Sequence, residues 1–257
     1  MFALVALLPL VASFTSALPR VERQTGLPNR CNISAATMDL PLNQTKLVAP
    51  SNITGPSFIG VAIGTQNYTC ASTGNWTNVG AVAQIFDASC LYGAPEFSNL
   101  PDIAYAFWKF APPTFPVSQI ISFMQPFHAS MVLGQHYFVN SPSGTGVSPK
   151  WDFTSAALAG HPDAFVIGTK VGDIAAPTGF PDIDWLSLDK AEGSLATQVL
   201  RLNTVGGLPP ASVGLRARRG SPPIAIKYAS MYCEPLLFLY RVNFTNWVIG
   251  FYGSSVQ

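Results

Sequence analysis

The chain has 257 residues, 48% of them hydrophobic and only 11% charged, with a formal net charge of +1. Such a balance gives no electrostatic footprint for nucleic acid or an anionic membrane surface, so neither partner is expected. The length suffices for one large domain with a sizeable apolar core, and no shift in composition divides it.

The opening stretch, "MFALVALLPLVASFTSA", is apolar and ends in small residues. It reads as a secretory signal over residues 1–17, cut after Ala17, because Thr15 and Ala17 fit the small positions before the cleavage point. The run stops at Pro19 and Arg20, short of the ~20 residues that a bilayer span needs. A secreted, extracellular mature chain without a membrane span is therefore expected. Residues 18–39 form an N-terminal segment in which "RVER" is a short pro-segment or a polar tail, and residues 40–257 form a single β-rich domain. Asn32, Asn43, Asn52, Asn67 and Asn75 each begin an N-x-S/T sequence, as does Asn243, and glycans there would supply the solubility that so few charges do not.

In an oxidising compartment the four cysteines, Cys31, Cys70, Cys90 and Cys233, read as disulfides. None has C-x-x-C spacing, so no metal site is expected. Cys70 and Cys90 each close a predicted strand, which suggests a bridge between them; Cys31 with Cys233 then follows by elimination.

After Cys31 the chain is mostly strands and turns. Residues 57–71 and 80–92 are apolar and rich in β-branched and aromatic residues, and the turn-like "STGNWTN" between them predicts a hairpin. Alternation along the first strand puts Asn67 on the outer face and Tyr68 with Cys70 inward. "QHYFVN", "KWDFTS", "AFVIGTKVGDIAA", "IDWLSLDKAEG", "TQVLRLNTVGG" and "PPIAIKYASMY" continue the pattern, with Gly and Pro clusters between them. The 22 prolines argue against a mainly helical domain. The expectation is all-β: a single β-sandwich or barrel-like domain with a short helical excursion around 100–133.

Taken together, "GTQNYTC", "GAVAQIFDASC", "GQHYFV", "PKWDF", "DIDWLSL", "RLNTVGG" and "KYASMY" resemble, in this order, a secreted fungal family of unknown function whose members often carry the label "malate dehydrogenase". The resemblance covers roughly residues 40–232. It implies a secreted β-rich single domain with no established activity, and it carries no catalytic residues over. Members of that family often have a cysteine soon after the "NTVGG" motif, where this chain reads "LPPASVGLRARRGS", so the resemblance leaves Cys31 without an obvious partner.

The dehydrogenase label fails on physical grounds. A Rossmann site needs G-x-G-x-x-G between a strand and a helix, and neither "GVAIG" nor "GTG" fits, so no nicotinamide cofactor is expected. No G-x-S-x-G elbow or H-E-x-x-H helix is present. His136, alternating with Tyr137 on a strand, could face a ligand pocket near Asp152 or Trp185; the plainer reading is a hydrogen-bonded strand histidine. His128 and His161 read as structural. Asp182 and Asp184 are two apart, whereas a glycosidase pair normally comes from separate elements. Lys170 and Asp173 read as a surface pair. Trp151 and Trp185 read as core, and Trp76 as core or as a sugar-stacking ring. A mature chain beginning at Leu18 lacks the N-terminal His of copper-dependent polysaccharide enzymes.

Two function classes follow. The first is an extracellular glycoprotein without a catalytic site, acting at the cell wall or on extracellular polysaccharide; the second is an extracellular enzyme with a site around His136.

The resemblance breaks after "KYASMY", where family members close with an aromatic "YWFY" strand and this chain continues "CEPLLFLYRVNFTNWVIGFYG". Residues 233–249 read as a translated intron. Cys233-Glu234 can be encoded TGT GAG, which holds the donor GTGAG; Thr245-Asn246 can be ACT AAC, a branch point; Ile249-Gly250 can be ATA GGG, which holds an acceptor AG. Excision makes a TGG codon, keeps the frame and yields "KYASMYWFYGSSVQ". The rival reading is an added hairpin with Cys233 bonded to Cys31.

Overall fold

The computed structural model describes residues 31–48, 55–112, 119, 131–210 and 221–234. Eight strands run in chain order: β1 (Phe58–Cys70), β2 (Trp76–Asp87), β3 (Val132–Asn140), β4 (Val147–Asp152), β5 (Phe165–Ile174), β6 (Trp185–Gly193), β7 (Gln198–Gly206) and β8 (Ile224–Glu234). Every neighbouring pair is antiparallel, and β8 returns to pair with β1 from Phe58↔Glu234 to Tyr68↔Ile224, so the sheet closes into a barrel. A barrel removes both free edges at once, which a sandwich does not. Helix α1 (Leu100–Trp108) lies within the expected helical excursion, and position 119 is helical too; residues 113–118 and 120–130 fall outside the described residues. No helix among the described residues is long and apolar enough to cross a membrane.

Closure bends the strands sharply, and bulges and glycines accommodate the bend. The register shifts between Asn67 and Tyr68 and between Lys170 and Gly172. A Cβ on Gly64 would stand 2.1 Å from the Val82 carbonyl oxygen, and one on Gly134 would stand 2.1 Å from that of Asp152. Only glycine permits those contacts.

Alternation along the strands makes two cores. The inner one includes Phe58, Ala62, Ile85, Leu133, Trp151, Phe153, Tyr228 and Tyr232. Outside the wall, Ile59, Val61, Trp185, Leu200, Leu202 and Met231 are covered by Ile33, Ala36 and Leu47 from a strap that spans residues 31–48. Helix α1 covers another part of the outer wall. Trp108 donates its indole N–H to the Gly64 carbonyl at 2.7 Å, and the Lys227 ammonium donates to the carbonyls of Trp108 (3.0 Å), Lys109 (3.3 Å) and Ala111, which stabilises the negative end of the helix.

The disulfide joins Cys31 to Cys90, with Cα atoms 5.1 Å apart, and not Cys70 to Cys90. The expected pairing fails on hairpin geometry. Cys70 ends β1 at the turn, opposite Trp76, while Cys90 follows β2 at the far end, where Gly60 pairs with Asp87. Ten residues of strand separate those ends, roughly 30 Å. The bridge instead fastens the strap to the turn at Ser89–Leu91. The Cys31–Cys233 pairing fails with it, since Cys233 is buried in β8 with its thiol against Met38 Sδ at 2.9 Å.

Candidate functional site

The inner faces of β3, β4 and β8 bring three rings together across the barrel. His136, opposite Trp151 in the β3–β4 register, stacks on its indole with centroids 4.6 Å apart and planes 22° apart. Tyr232 closes the group at 5.5 Å from His136 and 5.4 Å from Trp151. All three are buried. Below them Phe58 and Phe153 meet edge to face at 5.4 Å. On the other side the Tyr228 hydroxyl lies 3.4 Å from that of Tyr232, Asn78 donates to Gln66 Oε1 at 2.9 Å, and Tyr68 donates to the Gly207 carbonyl at 2.8 Å. Further along the same inner faces Phe138, Pro149, Leu186, Arg201 and Ile226 are only half-buried, so solvent reaches that end of the lumen.

His136 Nδ1 lies 3.1 Å from the Lys150 carbonyl oxygen. A carbonyl only accepts, so Nδ1 carries the proton and Nε2 the lone pair. Burial pushes the imidazole pKa down to about 3. A group so held is neutral at physiological pH and a weak base, which favours hydrogen bonding over acid–base catalysis. The unfolded imidazole titrates near 6.5, so between pH 6.5 and 3 the unfolded state binds the extra proton and stability falls as pH falls. Replacing His136 by Leu is expected to remove a slope of about 1.4 kcal/mol per pH unit across that window. Denaturant unfolding at pH 6.5 and pH 5 measures the difference.

The three residues nominated together from sequence are not together. Asp152 pairs with Gln135, one position out of phase with His136, and faces outward. There it accepts from Tyr137 Oη (2.6 Å), Thr154 Oγ1 (2.6 Å) and Thr154 N (3.0 Å), with the Lys150 ammonium at 2.9 Å. Burial alone would raise its pKa, but the bonds from Thr154, Tyr137 and Lys150 overcome it and hold the carboxyl at about 2. A carboxylate so fully occupied ties β3 to β4. Trp185 packs into the outer core beneath the strap. Of the nominated set, only His136 faces the lumen.

Other residues singled out from sequence fall mostly into structural roles. Tyr68 points inward as alternation required. Trp151 and Trp185 are core, and Trp76 is half-buried. Asp182 accepts from Gly206 N at 2.6 Å and from Thr178 Oγ1 at 2.5 Å, and the Asp184 carbonyl accepts from Arg201, so both carboxylate residues fasten loops. Lys170 and Asp173 form the surface pair at 3.0 Å. His161 lies in the loop after β4, its backbone N–H donating to the Leu158 carbonyl at 3.1 Å. Among the sequons, Asn32, Asn43 and Asn75 are exposed and Asn67 is half-buried on the outer wall. Asn52, Asn243, His128 and residues 1–17, the expected signal segment, lie outside the described residues.

Four lumen residues escaped the sequence reading: Gln66, Tyr228, Ser230 and Tyr232. The period-2 spacing of Tyr228, Ser230 and Tyr232 within "KYASMY" was the available signal, since it puts all three on one strand face. Among the described residues no group of three or more His, Cys, Asp or Glu could hold a metal ion.

No curated protein and no solved structure matches the chain. A family model does, over residues 50–233, which takes in all eight strands except the final residue of β8 and leaves the strap outside. On that match the chain belongs to the family described as protein of unknown function DUF3455.

Proposed function

We propose that this protein is a secreted glycoprotein that acts outside the cell by binding, at the cell wall or on extracellular polymers, and not by catalysis. The observation that supports this most directly is the surface placement of the acceptor asparagines: Asn32, Asn43 and Asn75 are all exposed. The Cys31–Cys90 bridge suits the same oxidising compartment. Exposed rings at Phe107 and Phe110, 79% and 80% accessible, offer an apolar surface against which a polymer can lie. Pull-down on chitin, glucan and cellulose is expected to retain the protein on at least one of them, and Phe107→Ala with Phe110→Ala to reduce retention severalfold. No retention on any polymer, with turnover of a screened substrate that His136→Ala abolishes, would reverse the reading.

A further inference from the structure

The lumen contains donors that lack a well-formed hydrogen bond within the protein, the Tyr228 hydroxyl being the acceptor group nearest in role to Gln66. Gln66 Nε2, Trp151 Nε1 and Ser230 Oγ are buried without a hydrogen-bond partner, in residues 3%, 1% and 0% exposed. Buried polar groups are nearly always partnered, and leaving one alone forfeits its hydration with nothing in return. Three such groups on the inner faces of β1, β4 and β8 therefore call for a partner that the chain does not supply. Two of them, the indole N–H and the amide NH2, can only donate. Their complement is an acceptor oxygen.

The surroundings narrow the guest further. Trp151, Tyr232 and His136 present ring faces, while Ala62, Ala81, Ala83 and Gly64 on β1 and β2 line the wall with small groups. Phe138, Leu186 and Ile226 make the approach apolar, and Arg201 beside them brings a positive charge. Its guanidinium donates through Nε and one Nη to the Asp184 carbonyl, at 3.1 and 2.8 Å, and a neutral backbone oxygen leaves that charge unbalanced.

We propose that the barrel lumen binds a small, flat aromatic or unsaturated molecule bearing a carbonyl or carboxylate oxygen, which accepts from Trp151, Gln66 and Ser230 and whose ring packs against the aromatic layer. Eight-stranded barrels are wide enough to be filled by side chains or to hold one small ligand. The unpartnered donors distinguish the second case. Arg201 favours an anionic guest over its neutral analogue.

Cinnamate and cinnamamide are suitable probes, one an anionic and the other a neutral acceptor on the same ring. Titration calorimetry on the full-length secreted protein is expected to show saturable one-to-one binding of cinnamate, accompanied by a rise in Tm. Trp151→Phe and Gln66→Leu should each weaken it about tenfold, the effect of one lost hydrogen bond, and Arg201→Leu should weaken cinnamate but not cinnamamide. If Trp151→Phe does not fold, Gln66→Leu carries the test. Absence of heat with both probes to millimolar concentration, or unchanged affinity in Gln66→Leu, would overturn the proposal; a variant that is merely more stable, without any binding, would assign the donors to trapped water and overturn it equally.

Discussion

Replacing Cys31 and Cys90 together by Ser is expected to lower the unfolding free energy by about 4 kcal/mol. The bridge closes a loop with a sequence separation of 59, long enough that cross-linking removes much of the freedom of the unfolded chain. The native state loses something as well. The strap holds Ile33, Ala36 and Leu47 over the outer wall, and without its anchor at Cys90 those contacts depend on apolar burial and a few hydrogen bonds, such as Gln198 Nε2 to the Val48 carbonyl at 3.0 Å. Local opening of the strap should follow, seen as faster hydrogen exchange over residues 31–48, while the barrel strands keep their protection. Cys70→Ser should leave the unfolding midpoint within a degree or two of the parent. A large loss in Cys70→Ser and none in the double variant would contradict the pairing.

The second large effect is expected at Glu234. This residue ends β8 inside the barrel, 1% exposed and paired with Phe58, and neither carboxylate oxygen has a hydrogen-bond partner. Burial pushes its pKa from 4.5 up to about 8. Between those values the folded state holds the extra proton, so stability is present in acid and falls as pH rises, by about 1.4 kcal/mol per unit. His136 has the opposite slope below 6.5, so the two offset each other from pH 4.5 to 6.5 and the decline appears above it. Glu234 is the only acid of β8 and is buried without a partner for its carboxylate, and the family match ends at residue 233, immediately before it. Excision of residues 233–249 would bring Phe251 to this place in the sequence, opposite Phe58 in the register of the ladder. Glu234→Phe is accordingly expected to stabilise the protein by about 3 kcal/mol at pH 7 and to abolish the alkaline decline, as read by denaturant unfolding at pH 5, 7 and 8. On the intron reading mature transcripts lack codons 233–249 and the Glu234 effects belong to the 257-residue chain; transcripts or peptides that span those codons would rule the excision out.

The strands were readable because their alternation is strong and Gly and Pro separate them. Closure was not, because the pairing of β8 with β1 joins Phe58 to Glu234 across the whole domain and leaves no local signature. The start of β2 at Trp76 was also missed: "NWTN" carries turn residues, yet Thr77 and Asn78 pair with Thr69 and Tyr68 in the ladder. The same strand ends at Asp87, whose carboxylate accepts from Ser89 N at 2.9 Å and starts a turn, so the expected strand end at Cys90 came too late. The disulfide error followed directly from that boundary. At the candidate site, His136 was found by residue type, but Asp152 and Trp185 were nominated without a strand register; alternation turned Asp152 to the opposite face, and Trp185 lies in the outer core. Tyr232 and Ser230 reach the lumen only through barrel closure, so their meeting with β3 and β4 could not be read from local pattern.

The most direct test of this account, a disulfide-stapled extracellular glycoprotein, is non-reducing peptide mapping by mass spectrometry of the protein recovered from culture medium. The expected map links the Cys31 peptide to the Cys90 peptide and shows glycans on Asn32, Asn43 and Asn75. A chain retained inside the cell, with bare asparagines and with Cys31 and Cys90 both alkylated without reduction, would contradict it.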